Sequence, residues 1–214
     1  MEVCFVTTGS NSSKFIVGIG PGDKAYILPK AVEVIESCDY VIGFLRAINS
    51  LNFINGNKVY INSLKATAQF IKDNEKSSIA IVASGDPCFY GITDYIMKNY
   101  DGKIEVIPGI SSFQYLCSKL KKPWQDAKLK SVHGRREEIA KEVLNNKLSV
   151  WLTDKESNPN FICKELIRNS IKAEVFVGEN LSYQDEKITS GKPEKLVNNL
   201  FSDLCVVIVE REVK

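Results

Sequence analysis

Residues 15–23, FIVGIGPGD, join a short apolar run to a turn of glycine, proline and aspartate, and this combination decides the fold. The run at 15–19 predicts a buried strand, and the residues at 20–23 predict the turn after it. Between residues 28 and 38, apolar side chains recur at helical spacing, with Pro29 acceptable in the first turn. A strand, a turn and a helix in this order form the βα unit of a parallel sheet.

The same theme recurs along the rest of the chain. In the first half it predicts further strands at 40–42, 58–61, 78–83 and 104–107, and helices at 66–72 and 112–120. In the second half it predicts strands at 150–153, 174–177 and 206–209, helices at 137–144 and 161–167, and a turn with a last helix within 191–200. The pattern predicts an α/β protein.

The length of 214 residues, with 44% hydrophobic residues, allows two α/β domains. Residues 119–136 hold seven basic residues against one acidic residue, which is typical of a solvated linker. The predicted division is a loose N-terminal extension at 1–14, an N-terminal α/β domain at 15–120, a linker at 121–130 and a smaller C-terminal α/β domain at 131–214.

Composition disfavours several classes of protein. A net charge of +2 does not predict a nucleic-acid partner. The six cysteines are scattered and His133 is the only histidine, which disfavours a metal site and a disulfide framework. No apolar run reaches the ~20 residues that span a bilayer, and residues 1–14 lack the pattern of a secretion signal. We expect a cytoplasmic protein with no membrane partner.

Three turns of glycine, proline and small polar residues follow three predicted parallel strands, at 20–23, 84–87 and 108–112. Ligands of open α/β sheets bind at the carboxyl edge, where such turns converge, so the three turns predict one cofactor site. Singly, each turn is equally consistent with simple chain reversal. A Rossmann dinucleotide site is disfavoured, because the G-x-G at 18–20 lacks the third glycine, and no P-loop is present.

In this order the turns resemble the tetrapyrrole methylase family, whose hallmarks are V-G-x-G-P-G-D, G-D-P and P-G-[IV]-[ST]-[SA]. The resemblance runs from Ile16 to about Val209. The strings SVHGR at 131–135 and VGENL at 177–181, followed by Glu186, resemble the branch that methylates cobalt-precorrin-7 at carbon 5. The resemblance implies an S-adenosylmethionine-dependent methyltransferase of cobalamin biosynthesis.

The resemblance also implies where the cofactor lies, namely in a cleft between two α/β domains, usually within a homodimer. From the first domain the implied cofactor contacts are Pro21, Ser84, Gly85, Asp86, Phe89, Ser111 and Ser112. From the second domain they are Leu152, Asn180 and Leu181. The decarboxylating partner domain of some relatives does not follow the methylase module here, so methylation at carbon 15 is expected to come from a separate polypeptide.

A tetrapyrrole substrate carries acetate and propionate carboxylates that basic residues can hold. Arg135 and Arg136 are candidates for this role, and His133 is a candidate for substrate contact or proton transfer, although each could equally be structural. Other functions stay open: a methylase for another corrin or sirohaem carbon, the diphthamide-pathway methylase, which acts on a protein, and a noncatalytic nucleotide-binding module. Retention of all three turns argues against the noncatalytic module.

Overall fold

The computed structural model describes residues 12–132 and 138–212. The chain divides into two compact units, Met1–Ser111 and Ser112–Lys214. Each unit is built on a five-stranded sheet with helices, which confirms the predicted α/β class. The cofactor cleft stays a prediction. In the part of the chain that the structure describes, no helix has the length and apolar character needed to cross a bilayer.

The first unit contains a parallel sheet in the order β3-β2-β4-β1-β5. Its strands are β1 (Lys14–Gly18), β2 (Tyr40–Gly43), β3 (Lys58–Tyr60), β4 (Ile79–Ala83) and β5 (Ile104–Ile107). Its helices are α1 (Pro29–Ser37), α2 (Leu45–Ser50), α3 (Leu64–Asp73) and α4 (Thr93–Asn99). Because successive residues of a strand point to opposite faces, the β-branched runs of β1 and β4 bury side chains on both faces of this sheet.

Each face of the first sheet is covered by its own pair of helices. Val41 and Val82 pack with residues of α1 and α2, whereas Ile42 and Ile81 pack with residues of α3 and α4. This arrangement satisfies the rule that all-parallel sheets are covered on both faces. The carboxyl edge of the sheet, where the loops leave the strands, therefore lies between two helical layers.

Strand β1 begins at Lys14, inside the segment 1–14 that the sequence predicts to be a loose extension. The Lys14 side chain is buried, and its Nζ donates to the carbonyl oxygens of Ser12, Glu75 and Ser77 at 2.9, 2.9 and 2.6 Å. Burial lowers the pKa of Lys14. Three carbonyl acceptors explain how a lysine can occupy this buried position.

The second unit contains a mixed sheet in the order β6-β7-β10-β8-β9, in which β6 and β7 are parallel and the other pairs are antiparallel. Its strands are β6 (Lys128–Ser131), β7 (Leu148–Leu152), β8 (Ala173–Glu179), β9 (Lys187–Gly191) and β10 (Cys205–Arg211). Its helices are α5 (Ser112–Lys119), α6 (Ile139–Asn145), α7 (Pro159–Arg168) and α8 (Pro193–Leu196). Trp151 is fully buried in its core and donates its ring N–H to Ser149 Oγ at 2.9 Å.

The observed elements differ from the predicted ones in several places. Strands β6 and β9 and helices α2 and α4 do not figure in the sequence prediction. Strand β6 begins at Lys128, inside the segment 121–130 taken as a linker, and α5 belongs to the second unit, although the sequence places it in the first domain. The sequence of β6, KLKS, lacks an apolar run. Its lysines form ion pairs with Glu142 of α6, which only the tertiary structure brings near.

Candidate functional site

The carboxyl edge of the first sheet brings the three predicted turns together. Strands β4, β1 and β5 are neighbours and run parallel, so the turns that follow them leave the sheet side by side. These are the first turn at 20–23, the second turn at 84–87 and the third turn at 108–112. This position is where open α/β sheets bind ligands.

The three turns contact each other through glycine backbones. Gly20 and Gly85 form an antiparallel bridge with N···O distances of 3.3 and 2.7 Å. A Cβ atom on Gly18 would lie 2.6 Å from the Gly109 nitrogen and 2.8 Å from the Gly85 carbonyl oxygen. Gly20 and Gly85 also adopt φ of +77° and +69°, which disfavours other residues. A side chain at Gly18 or Gly20 would clash with backbone atoms, so the turns meet through polar backbone groups at these positions.

Asp86 fastens the second turn to the third. Its Oδ1 accepts the backbone N–H of Cys88 at 2.8 Å, and its Oδ2 accepts the backbone N–H of Gly109 at 3.2 Å. A carboxylate that accepts two amides in this way fixes the relative position of both segments. The structure therefore gives Asp86 a positioning role, whereas its direct contact with a cofactor stays a prediction.

The other predicted contacts at the carboxyl edge of the first sheet, called here the first edge, differ in exposure. Ser84 is exposed, Ser112 is half-buried at the start of α5, and Pro21, Gly85 and Ser111 are buried. The ring of Phe89 is half-buried and meets that of Tyr90 edge-on, with centroids 5.0 Å apart. Tyr90 has a φ of +52°, which is uncommon for a bulky residue and often marks a functional loop.

The charge of the first edge is distinctive. Residues 18–23, 83–91 and 107–112 contain no lysine or arginine, and their only charged residues are Asp23 and Asp86. Asp23 accepts the backbone N–H of Ala25 at 2.7 Å. A polyphosphate would find no cationic side chain in these turns, whereas a neutral or cationic ligand would meet backbone groups, hydroxyls and two carboxylates. The edge therefore suits a nucleoside better than a nucleotide polyphosphate.

Neither a metal site nor a thiol nucleophile emerges from the described residues. Within 12–132 and 138–212, no group of three or more His, Cys, Asp or Glu side chains could hold a metal ion. Burial raises the pKa of the Cys117, Cys163 and Cys205 thiols to about 11, which keeps them protonated near neutral pH. Cys88, in the loop between Asp86 and Phe89, is exposed.

The second unit brings its predicted residues to one edge of its own sheet. Strands β6, β7 and β8 run in the same direction, and Val206 of β10 pairs with both Leu152 and Gly178. Leu152 and the loop that holds Asn180 and Leu181 therefore lie at the same edge. Strand β6 ends at the same edge, where Ser131 pairs with Leu152. His133, Arg135 and Arg136 lie outside the described residues.

Side chains hold the loop after β8 in place. Asn180 and Ser182 adopt φ of +46° and +67°, and Asn180 Nδ2 donates to Asp185 Oδ2 at 2.7 Å. The Ser182 N–H donates to Glu186 Oε2 at 2.6 Å. Leu181 is buried, and a Cβ atom on Gly178 would lie 2.7 Å from its Cδ2. Leu181 therefore packs against Gly178, a role that the sequence motif at 177–181 does not predict.

Most of the described lysines of the basic segment at 119–136 have a carboxylate partner within the second unit. Four of its lysines lie 2.5 to 3.9 Å from a carboxylate: Lys119 with Glu186, Lys122 with Glu210, and Lys128 and Lys130 with Glu142. The hydrogen bond from Lys130 lowers the pKa of Glu142. These lysines are poorly placed to hold substrate carboxylates, because each already has a partner.

Comparison with known proteins gives consistent matches. A family model described as Tetrapyrrole (Corrin/Porphyrin) Methylases matches residues 15–197. A probable cobalt-precorrin-7 C(5)-methyltransferase of Methanocaldococcus jannaschii is 34% identical over 207 residues, which cover 92% of this chain and 97% of that protein. The cobalt-precorrin-7 C(5)-methyltransferase of Salmonella typhimurium is 30% identical over 198 residues, covering 91% and 98%. The structure of a Thermus thermophilus uroporphyrin-III C-methyl transferase complexed with S-adenosylhomocysteine matches with a TM-score of 0.75 at 18% identity, covering 92% of each chain.

Proposed function

The chain belongs to the tetrapyrrole (corrin/porphyrin) methylase family, and we propose that this methyltransferase uses S-adenosylmethionine to methylate carbon 5 of cobalt-precorrin-7 in cobalamin biosynthesis. Two relatives that carry this name cover more than nine-tenths of the chain at 34% and 30% identity. The strings at 131–135 and 177–181 support the same branch of the family.

The observation that carries the choice of cofactor is the absence of cationic side chains from the three turns at the edge of the first sheet. Its glycine turns offer backbone N–H and C=O groups and serine hydroxyls, which can bind the ribose, the base and the amino-acid moiety of a nucleoside. Two carboxylates and no basic side chain also suit a sulfonium cation better than a diphosphate. The residues present therefore fit S-adenosylmethionine, and the Thermus thermophilus neighbour was solved with the corresponding product.

We propose that the cofactor contacts are the residues predicted from the sequence. In the first unit and at the start of α5 they are Pro21, Ser84, Gly85, Asp86, Phe89, Ser111 and Ser112. At the edge of the second sheet they are Leu152, Asn180 and Leu181. The buried positions among them supply backbone groups and shape, while Ser84 and Ser112 can offer their hydroxyls. His133, Arg135 and Arg136 are proposed for the substrate.

The bound sulfonium supplies an activated methyl group, so the reaction needs no protein nucleophile. The work of this chain is to orient the two reactants and to exclude water. The rigid contacts between Gly18, Gly85 and Gly109 suit that task, because they leave the first edge little freedom to move. We also propose that the protein is a cytoplasmic homodimer. In this proposal another polypeptide methylates carbon 15.

Calorimetric titration with S-adenosylmethionine and S-adenosylhomocysteine, with ATP and NADH as controls, tests the cofactor. We expect micromolar dissociation constants for the two sulfur nucleosides and no binding of ATP or NADH. Incubation with cobalt-precorrin-7 and S-adenosylmethionine should then give a product heavier by one methyl group, located at carbon 5 by NMR. Binding of ATP or NADH in place of the sulfur nucleosides would contradict the proposal.

A further inference from the structure

Beside the second turn, the carboxyl edge of the first sheet exposes three large apolar side chains. Phe44, Leu45 and Tyr60 are 41%, 53% and 53% exposed. Phe44 and Leu45 follow β2 directly, and Tyr60 ends β3. Since the sheet order is β3-β2-β4-β1-β5, Phe44 and Leu45 follow the strand next to β4, which carries the second turn, and Tyr60 ends the strand beyond β2. We call Phe44, Leu45 and Tyr60 the apolar edge patch.

Tyr60 and helix α2 share one face of the sheet as well as one edge. Val59 packs into the cluster that contains Ile42, so its neighbour Tyr60 points to the opposite face. Helix α2, which begins at Leu45, buries Ala47 and Leu51 in the cluster on that opposite face. Tyr60 and α2 therefore lie on the same side, and the backbone pairing of Gly43 with Tyr60 holds β2 and β3 together there.

Arg46 adds a positive charge to the apolar edge patch. It follows Leu45 in α2, its side chain is exposed, and it is the only arginine among residues 1–111. Among the residues that the structure describes, no carboxylate forms an ion pair with it. The lysines at 119–130 that face Glu142, Glu186 and Glu210 differ in this respect. Arg46 can therefore bind a carboxylate from a ligand with both arms of its guanidinium.

We infer that the apolar edge patch supports one flank of the tetrapyrrole macrocycle and that Arg46 binds one of its peripheral carboxylates. This inference rests on the proposed function. A tetrapyrrole combines an apolar conjugated ring with acetate and propionate groups at its rim, and an aromatic and aliphatic surface beside a guanidinium matches both features. The patch also adjoins the turns proposed to hold the methyl donor, so a substrate lying on it would have its rim close to the cofactor.

A second copy of this chain is the competing occupant, because exposed apolar residues also form dimer interfaces. The apolar edge patch offers no carboxylate to Arg46. An interface formed there would have to bury an unpaired guanidinium unless the partner brought an acid. A polycarboxylate ligand brings several acids, and the charge of the patch therefore favours the substrate.

The test is binding of cobyrinic acid, a stable cobalt corrin with free acetate and propionate groups, measured by tryptophan fluorescence in the presence of S-adenosylhomocysteine. We expect Arg46→Gln to weaken corrin binding about tenfold, the usual effect of losing one charge-assisted hydrogen bond, and Arg46→Lys to weaken it less. Tyr60→Ser should weaken it roughly threefold through lost apolar contact. The effect of Arg46→Gln should shrink at high salt.

Two exposed residues serve as matched controls. Lys65 is an exposed cation of α3, on the other face of the sheet, and Phe53 is an exposed aromatic residue beyond the far end of α2. Lys65→Gln and Phe53→Ser should leave corrin binding unchanged. In every variant, the dissociation constant for S-adenosylhomocysteine and the mass by light scattering should match those of the wild type.

The possible outcomes separate the two proposals. Unchanged corrin binding in Arg46→Gln and Tyr60→Ser would overturn the inference. A lower mass in these variants would also overturn it, because the patch would then be an interface between copies. A wild-type protein that binds S-adenosylhomocysteine but not cobyrinic acid would overturn the inference and leave the cofactor proposal intact. A wild-type protein that does not bind S-adenosylhomocysteine would instead refute the proposed function.

Discussion

The two units hold their functional edges together by different means. At the edge of the first sheet, turns meet chiefly through the backbones of Gly18, Gly85 and Gly109, and the Asp86 carboxylate adds one side-chain tie. At the edge of the second sheet, loops are fastened by side chains, such as Glu186, which accepts the Ser182 N–H, and Thr153, which donates to the Cys205 carbonyl oxygen at 2.9 Å. Contact between backbones excludes any side chain, whereas a side-chain hydrogen bond can be weakened in steps. We therefore expect substitutions at the first edge to cause large losses of stability and cofactor affinity, and substitutions at the second edge to cause small losses.

Gly109→Ala should have the largest effect. The new Cβ atom would overlap the Gly85 carbonyl oxygen and would lie 2.8 and 2.9 Å from the backbone carbon atoms of Gly18. Because these contacts are backbone atoms, the third turn must shift. We expect a loss of about 2 kcal/mol in the free energy of unfolding, typical of overpacking, measured by urea denaturation. A displaced turn should also weaken S-adenosylhomocysteine binding by about a hundredfold.

Gly191→Ala is the matched control for this change. A Cβ atom on Gly191 would lie 3.6 Å from its nearest neighbour, Leu196 Cδ2, which is an ordinary contact. We expect stability and cofactor affinity close to those of the wild type. If Gly109→Ala behaved like Gly191→Ala, the first edge would be more adaptable than its backbone contacts indicate, and the contrast between the two edges would collapse.

Asp86→Ala should have the next largest effect. It removes the acceptor of two backbone amides, those of Cys88 and Gly109, and thus the tie between the second and third turns. We expect ligand-free protein to lose about 1.5 kcal/mol of unfolding free energy and cofactor affinity to fall about tenfold. Asp86→Asn, which keeps one carbonyl acceptor, should lie between Asp86→Ala and the wild type.

The stability of the ligand-free protein separates two roles for Asp86. A residue that only contacts the cofactor would lower affinity without lowering stability. A positioning residue lowers both. Asp73→Ala is the control, since Asp73 is an exposed carboxylate that accepts from the Gln69 side chain within the same helix. A normal unfolding free energy in Asp86→Ala would show that the tie between the turns is unimportant.

Much of the first unit could be predicted from the sequence because its signals are local. The apolar run of β4, the glycines of the three turns and the helical spacing of α1 each identify an element without reference to the rest of the chain. Strand β6 could not be predicted in this way. Its residues, KLKS, become a strand because β7 pairs with them and Glu142 forms an ion pair with each of the two lysines. Such pairings are tertiary and leave no periodic pattern.

The same distinction applies to the candidate site. The sequence predicts that the three turns share the carboxyl edge of a parallel sheet, and the structure places them side by side. The order of the strands that makes them neighbours does not follow from the sequence. The partners of individual side chains do not follow from the sequence. Asp86 stands in one of the three predicted turns, yet its carboxylate accepts a backbone amide 23 residues further along the chain. The sequence predicts that the lysines at 119–130 form a solvated basic cluster. The structure instead gives four of these lysines carboxylate partners.

Glu186→Ala tests whether a substitution at the second edge causes only a small loss of stability and cofactor affinity, and it should have the smallest effect. The Glu186 carboxylate accepts the N–H of Ser182, a residue with a positive φ, and lies 3.8 Å from Lys119. Loss of this bond should lower the unfolding free energy by about 1 kcal/mol and cofactor affinity roughly threefold, because the backbone bonds of the loop persist. Glu186→Gln keeps an acceptor and should retain most of both. Glu165→Ala is the control, since Glu165 is similarly half-buried and only forms a helical ion pair with Arg168 at 3.8 Å. A loss of stability in Glu186→Ala as large as that in Gly109→Ala would mean that the second edge tolerates substitution as poorly as the first. The type of contact would then not determine the size of the loss.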